Sequence, residues 1–299
     1  MSEPLFTGLL TALVTPFKDG ALDEAALTAL VERQIRMSVE GLVPAGVFGE
    51  CDALTPAEHR RVLELCVQAT DGRVPVLAGA ACGSLPQVLD LIAYAASIRA
   101  CGALVSIPHS QRPDEAGLYD YFAGLSEAAA LPLVIELAPT RTGIDLSIAT
   151  VGALSKLPKI AGVVDAHGDV ARVSLMRRVC PPDFALLCGE DAVMLGYLAQ
   201  GGHGCVSLTA NVAPKSVSTF MVACQEGEWA FARDAHDRLI GLHQALAADA
   251  PAAAKFGLHR MAQQCEPDTR APNPPYPEAG RPALLEAMSQ AADVMYHVH

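Results

Sequence analysis

From Leu9 to Val206 short, nearly unbroken apolar runs alternate with longer segments whose apolar residues recur at helical spacing. Strands covered on both faces read as such continuous runs, so the pattern predicts parallel strands joined by crossover helices. Eight strands are expected, at Leu9–Thr15, Leu42–Ala45, Val74–Ala78, Ala103–Ser106, Pro132–Glu136, Ile160–Asp165, Phe184–Cys188 and Gly204–Ser207. Between them, helices are expected near Asp23–Met37, Leu85–Arg99, Asp114–Ala129, Ser147–Ser155, Asp169–Arg178 and Asp191–Ala199. One more opens at Thr55, where Thr55, Pro56 and Glu58 form a capping-box signature. Eight such units close into a barrel; no G-x-G-x-x-G follows the first strand, which argues against an open dinucleotide-binding sheet. After Asn211 the alternation gives way to helical segments at Ala213–Gln225, Glu228–Ala248 and Ala252–Gln264, a Pro-rich connector from Pro267 to Pro282, and a last helix ending near Val298. The expected fold is an α/β (β/α)8 TIM barrel over residues 1–226 with a C-terminal helical domain over 227–299.

With 51% hydrophobic and 18% charged residues, the 299-residue chain suits one compact body with a large core. Its net charge of -12, without any basic run, disfavours nucleic acid and anionic lipid as partners. The nine cysteines contain no C-x-x-C pair and fit neither a disulfide framework nor a zinc knuckle, so reduced thiols are expected. No basic leader and no apolar run of about 18 residues is present, which makes a cytoplasmic location the expectation. No cofactor motif is read.

In a barrel of this kind, chemistry sits at the carboxyl ends of the strands. The polar residues there are Glu50, Cys51, Asp52, His109, Glu136, Arg141, Asp165, His167, Glu190 and Asp191. Glu136, in an otherwise apolar strand, is the candidate acid or base, or else the inert partner of Arg141. His109, His167, Glu136 and Asp191 lack the paired spacing of a metal site, and no metal is expected. Cys51, Cys82 and Cys188 read as small buried hydrophobes. Glu50 and Asp191 read as loop-bracing carboxylates.

Several motifs occur in one order: A-L-V-T-P-F at Ala12–Phe17, G-V-F-G-E at Gly46–Glu50, R-P-D-E-A-G-L-Y at Arg112–Tyr119, P-T-R-T-G at Pro139–Gly143, then G-E-D-A, G-G-H-G and T-A-N. In these the chain resembles the dihydrodipicolinate synthase and N-acetylneuraminate lyase family, on the synthase side. The resemblance implies a barrel, a homotetramer built as a dimer of dimers, and pyruvate held as a Schiff base on a lysine of the sixth strand. Where that lysine is implied, this chain has Val164. The two threonines implied to bind the pyruvate carboxylate are Val47 and Phe48, the tyrosine of the fifth strand is Glu136, and the tyrosine lent across the dimer is Ser110. Arg141, Gly189 and Val206 still match the pocket.

Only five lysines exist, Lys18, Lys156, Lys159, Lys215 and Lys255. A Schiff-base lysine needs burial at the barrel mouth to depress its pKa. Lys156 and Lys159 precede the sixth strand, Lys215 and Lys255 fall in helical segments, and Lys18 sits in a polar turn. The expectation is therefore a family barrel without the family's Schiff-base reaction. It would bind a small carboxylate or keto acid on Arg141, with Glu136 as acid or base, or else be a structural protein whose pocket is plugged by Phe48 and Val164. A lyase working through another lysine is the third alternative. An open pocket with Arg141 free favours the first; Phe48 filling it and Arg141 held by Glu136 favours the second.

Overall fold

The computed structural model describes residues 3–80, 84–107, 113–261, 265–292 and 294. Eight parallel strands form its centre: β1 Gly8–Ala12, β2 Gly41–Val43, β3 Leu77–Gly79, β4 Gly102–Ser106, β5 Leu133–Leu137, β6 Ile160–Asp165, β7 Ala185–Cys188 and β8 Gly204–Ser207. The ladder runs from β2 through β1, β8, β7, β6, β5 and β4 to β3. A single bridge between Leu42 and Val76 joins its two ends and closes the barrel. Helices α1 Glu24–Arg36, α2 Pro56–Thr70, α3 Leu85–Ser97, α4 Glu115–Ala128, α5 Ile148–Leu154, α6 Ala171–Val179, α7 Met194–Ala199 and α8 Pro214–Glu226 surround it. The C-terminal helices are α9 Trp229–Ala248, α10 Ala252–Arg260 and α11 Arg281–Ala292. Among the described residues no helix is long and apolar enough to cross a membrane.

The eight expected strands are all present, with ends that hydrophobicity alone misplaces. Leu13 and Val14 are apolar, yet β1 stops at Ala12: the Leu13 N–H reaches across to the Val43 carbonyl and the Val14 N–H is taken by the Asn211 side chain. Before β3, Pro75 has no N–H for a ladder, so Val74 to Val76 give only the closing bridge. A short hairpin, Phe17–Lys18 against Ala21–Leu22, went unread in the apolar pattern. Its Asp19-Gly20 turn, both residues at positive φ, is the usual sequence signal for such a hairpin. The helix expected to run to Gln264 ends at Arg260, and the last helix stops at Ala292, with 295–299 outside the described residues.

Side chains alternate between two cores. Leu10, Val43, Leu77, Leu104, Val134, Val164, Leu187 and Val206 point inward and fill the barrel. The outward set packs under the helices and continues into the C-terminal domain through Leu239, Leu242 and Leu246 of α9.

The C-terminal domain is tied to the barrel mouth by a buried ionic cluster. Lys255 of α10 has no exposed surface, and its Nζ contacts Glu50 Oε1, the Asp268 carbonyl at 2.8 Å and the face of Phe17 at 4.2 Å. Glu50 Oε2 accepts from the Arg270 N–H at 2.9 Å and from Asn273 Nδ2 at 3.1 Å. Arg270 then forks onto Glu58, Nη1 at 2.9 Å and Nη2 at 2.7 Å, and holds that carboxyl down to about 2. Glu58 also closes the Thr55 capping box at the start of α2. Burial pulls the Lys255 ammonium below the ordinary lysine range, and Glu50 opposes that pull.

Removing one partner from such a pair strands a buried charge. Lys255→Met is expected to lower stability by about 3–5 kcal/mol. Adding Glu50→Gln should recover a large part of that loss, because the glutamine oxygen still accepts from Arg270. Urea denaturation of the two variants checks both statements; equal losses in the single and double variants would show that the ionic pairing is not what holds the domains together.

Candidate functional site

Strand register brings three inward positions into one row at the barrel mouth, with Ser106 opposite Glu136 and Glu136 opposite Val164. Ser106 Oγ donates to Glu136 Oε2, and Arg141 Nη2 donates to Glu136 Oε1 at 2.6 Å. Arg141 reaches inward from a one-turn helix, Pro139–Thr142, that Pro139 opens and Gly143, at φ 70, ends. Its guanidinium lies over the Phe48 ring, 5.1 Å from the centroid. Phe48 sits in the 3-10 turn Val47–Gly49, which Glu50 terminates in the left-handed region at φ 56.

Behind this row the barrel is nearly full. The central cavity is about 10 Å3, lined by Val47, Phe48, Glu136, Val164, Gly189 and Val206 among others. That is room for about one water molecule. Val164 is 2% exposed and its neighbour Gly189 has no space for a side chain, since a Cβ there would stand 2.8 Å from Val164 Cγ1. Six of the expected site residues thus do converge, on a space too small for a three-carbon acid. Arg141 stands one layer further out, and Ser110 and His109 lie outside the described residues.

Beyond the plug a chamber of about 260 Å3 opens between the mouth and the C-terminal domain, lined by Phe48, Arg141, Glu190, Asp191, His243 and Asn273 among others. Burial, together with the neighbouring Asp191, raises the Glu190 carboxyl, which Arg141 partly offsets. Asp191 Oδ2 accepts from the Thr209 N–H at 2.9 Å, and the Thr209 hydroxyl meets His243 Nδ1 at 2.8 Å. His243 lies 5.6 Å from the ring of His236, and burial depresses both imidazoles below the ordinary histidine range.

The other strand-end residues face away from this space. Asp165 alternates to the outer layer, where Arg172 Nε binds it at 3.1 Å; burial raises its carboxyl and Arg172 opposes the shift. His167 Nε2 lies 3.3 Å from Asp145. Among the described residues no group of three or more His, Cys, Asp or Glu side chains is placed to hold a metal ion. Cys51 and Cys188 are buried, burial pushing the Cys188 thiol far up, while Cys82 lies outside the described residues.

Lys18, Lys156 and Lys215 are exposed, and no lysine lines the cavity or the chamber. Lys255 is helical as read, but helical spacing gave no hint that its ammonium enters the core beneath the mouth. The only signal for that was a lysine inside the apolar run Ala252–Leu258. It sits in a cation's cage of two oxygens and one ring, with no opening through which a keto acid could approach.

The dihydrodipicolinate synthetase family model matches residues 5–291. The 4-hydroxy-tetrahydrodipicolinate synthase of Phenylobacterium zucineum is 47% identical over 97% of this chain and 99% of its own length. That of Hyphomonas neptunium is 44% identical over 95% and 97%. Among solved structures, the 4-hydroxy-tetrahydrodipicolinate synthase of Methylacidiphilum fumariolicum SolV superposes with a TM-score of 0.93 at 30% identity, covering 96% of each chain. Dihydrodipicolinate synthase of Thermotoga maritima gives 0.93 at 29%, covering 96% of this chain and 99% of its own.

The buried histidines set a pH dependence. Unfolded imidazoles take up protons below about pH 6.5, whereas His236 and His243 resist protonation when folded, so the unfolded state binds more protons there. Stability is expected to be flat above about pH 7 and to fall as pH drops below about 6.5. Urea midpoints at a series of pH values check this, and the slope should be shallower in His243→Gln.

Proposed function

The chain belongs to the dihydrodipicolinate synthetase family, and from that premise we propose that it is a non-catalytic member, a barrel kept as a structural or interaction scaffold with its reaction centre filled. The observation that carries this reading is the central cavity of about 10 Å3 with Val164 in its wall. Family-type chemistry needs a nucleophilic amine at that position, and an isopropyl group forms no carbinolamine. It also needs room for pyruvate beside the amine, and Phe48 occupies that room.

The rival reading, a small carboxylate held by Arg141, meets two obstacles. Arg141 is already bound to Glu136 and laid on Phe48. The chamber in front of it also carries Glu190 and Asp191, carboxylates that oppose an entering anion. Glu136 as an acid or base would first have to give up both Ser106 and Arg141. A homotetramer remains part of the proposal by family resemblance, and the exposed Leu175 and Val179 on α6 are apolar surface that subunits could cover.

Incubation with pyruvate and borohydride is expected to add no pyruvyl mass to the protein. A stoichiometric adduct on any lysine, located by peptide mass spectrometry, would overturn the proposal. Val164→Lys alone should give at most slow trapping, because Glu136 lies across the strand and would keep the amine protonated; Val164→Lys with Glu136→Tyr should trap more. Near-normal synthase turnover in Val164→Lys would show that only one residue had been lost.

Light scattering should report a tetramer at micromolar concentration. A stable monomer of about 31 kDa would remove assembly from the proposal.

A further inference from the structure

The C-terminal domain holds a cavity that takes no part in the barrel mouth. It measures about 550 Å3, between α10, the connector and α11, within the size range of small-molecule sites. Its walls are apolar where Pro275, Tyr276 and Leu285 meet, and Leu285 is 37% exposed despite lying in the wall. Phe256 and Tyr276 pack their rings 5.4 Å apart on one side.

The charges on this wall run against those of the chain. In a protein of net charge -12, two guanidiniums, Arg260 and Arg281, line the cavity against one carboxylate, Asp268. Arg260 makes no ion pair among the described residues. Arg281 lies over the Phe256 ring at 5.2 Å, its Nη1 reaches exposed Glu278 at 3.3 Å, and its Nε is buried without an acceptor. A buried donor left unpaired is destabilising unless something accepts from it. His259 is not a competitor, since its Nδ1 faces the Cys265 carbonyl at 3.1 Å with Glu266 beyond.

A site with spare guanidinium donors, an apolar wall and little acceptor capacity suits a ligand that is anionic at one end and apolar at the other. We propose that this cavity binds a small organic carboxylate with a ring-sized apolar body, its carboxylate between Arg260 and Arg281 and its body against Pro275, Tyr276 and Leu285. A planar carboxylate matches the fork of an arginine in two parallel hydrogen bonds, whereas a bare inorganic anion would leave the apolar wall wet. This site is separate from the plugged barrel centre and does not depend on that centre being inert.

Calorimetric titration of the full chain with phenylacetate tests it, with acetate and benzyl alcohol as probes of each half alone. One saturable site per chain is expected, with acetate and the alcohol each at least about tenfold weaker. Arg281→Gln and Arg260→Gln should each weaken phenylacetate binding by about tenfold or more. Arg178→Gln, which removes the same charge from the exposed face of α6, should leave it unchanged. Because Arg281 also packs on Phe256, Leu285→Glu serves as a second variant: it is exposed enough to fold, and its carboxylate should abolish binding. No saturable heat with the wild-type chain, acetate binding as tightly as phenylacetate, or undiminished binding in Arg260→Gln and Leu285→Glu would each overturn the proposal.

Discussion

An eight-stranded barrel is only just wide enough inside for its own side chains, so any pocket at its mouth exists only where inward residues stop short. In this chain they do not. Val164, Phe48 and Val206 continue the apolar packing of the layers below, and Glu136 is held in place by donors from Ser106 and Arg141. The row Ser106, Glu136 and Val164 closes the top of the inner core. A carboxylate so deep in the wall is tolerable because both oxygens are met, which makes Arg141 part of the packing rather than a free anchor.

Period and punctuation made the architecture readable, and their failures have local causes. Strand ends shifted where Pro75 lacks a donor and where Asn211, distant in sequence, takes the Val14 N–H. The hairpin Phe17–Lys18 against Ala21–Leu22 is too short for any apolar period to register. At the mouth, the valine at position 164 could be read directly from the sixth-strand run. The size of the space beside it could not, because it turns on side-chain volume and register together: Val164 and Phe48 narrow the cavity once Glu136 stands between Ser106 and Val164.

Lys255 shows another limit. Propensity and period place it in a helix, correctly, but say nothing about which helix face meets which loop. Its partner Glu50 ends the Val47–Gly49 turn, and the carboxylate organises the connector through Arg270 and Asn273. The two clusters at the mouth differ in kind: Lys255, Glu50 and Arg270 pair across the connector, while Val164, Phe48 and Val206 pack against the inner core.

The Lys255–Glu50 contact also constrains the order in which the chain can assemble. Its partners stand 205 positions apart, and the cage needs Phe17 from the first βα connection, Glu50 from the second, and Asp268 and Arg270 from the connector. A lone ammonium or carboxylate buried before the others arrive pays a desolvation penalty with nothing to offset it. The C-terminal helices can therefore dock in register only on a mouth whose first two units are already in place. Non-local contacts of this kind form late and slow folding, but they also act as a checkpoint: a chain whose first two units are not yet packed together presents no seat for its last domain.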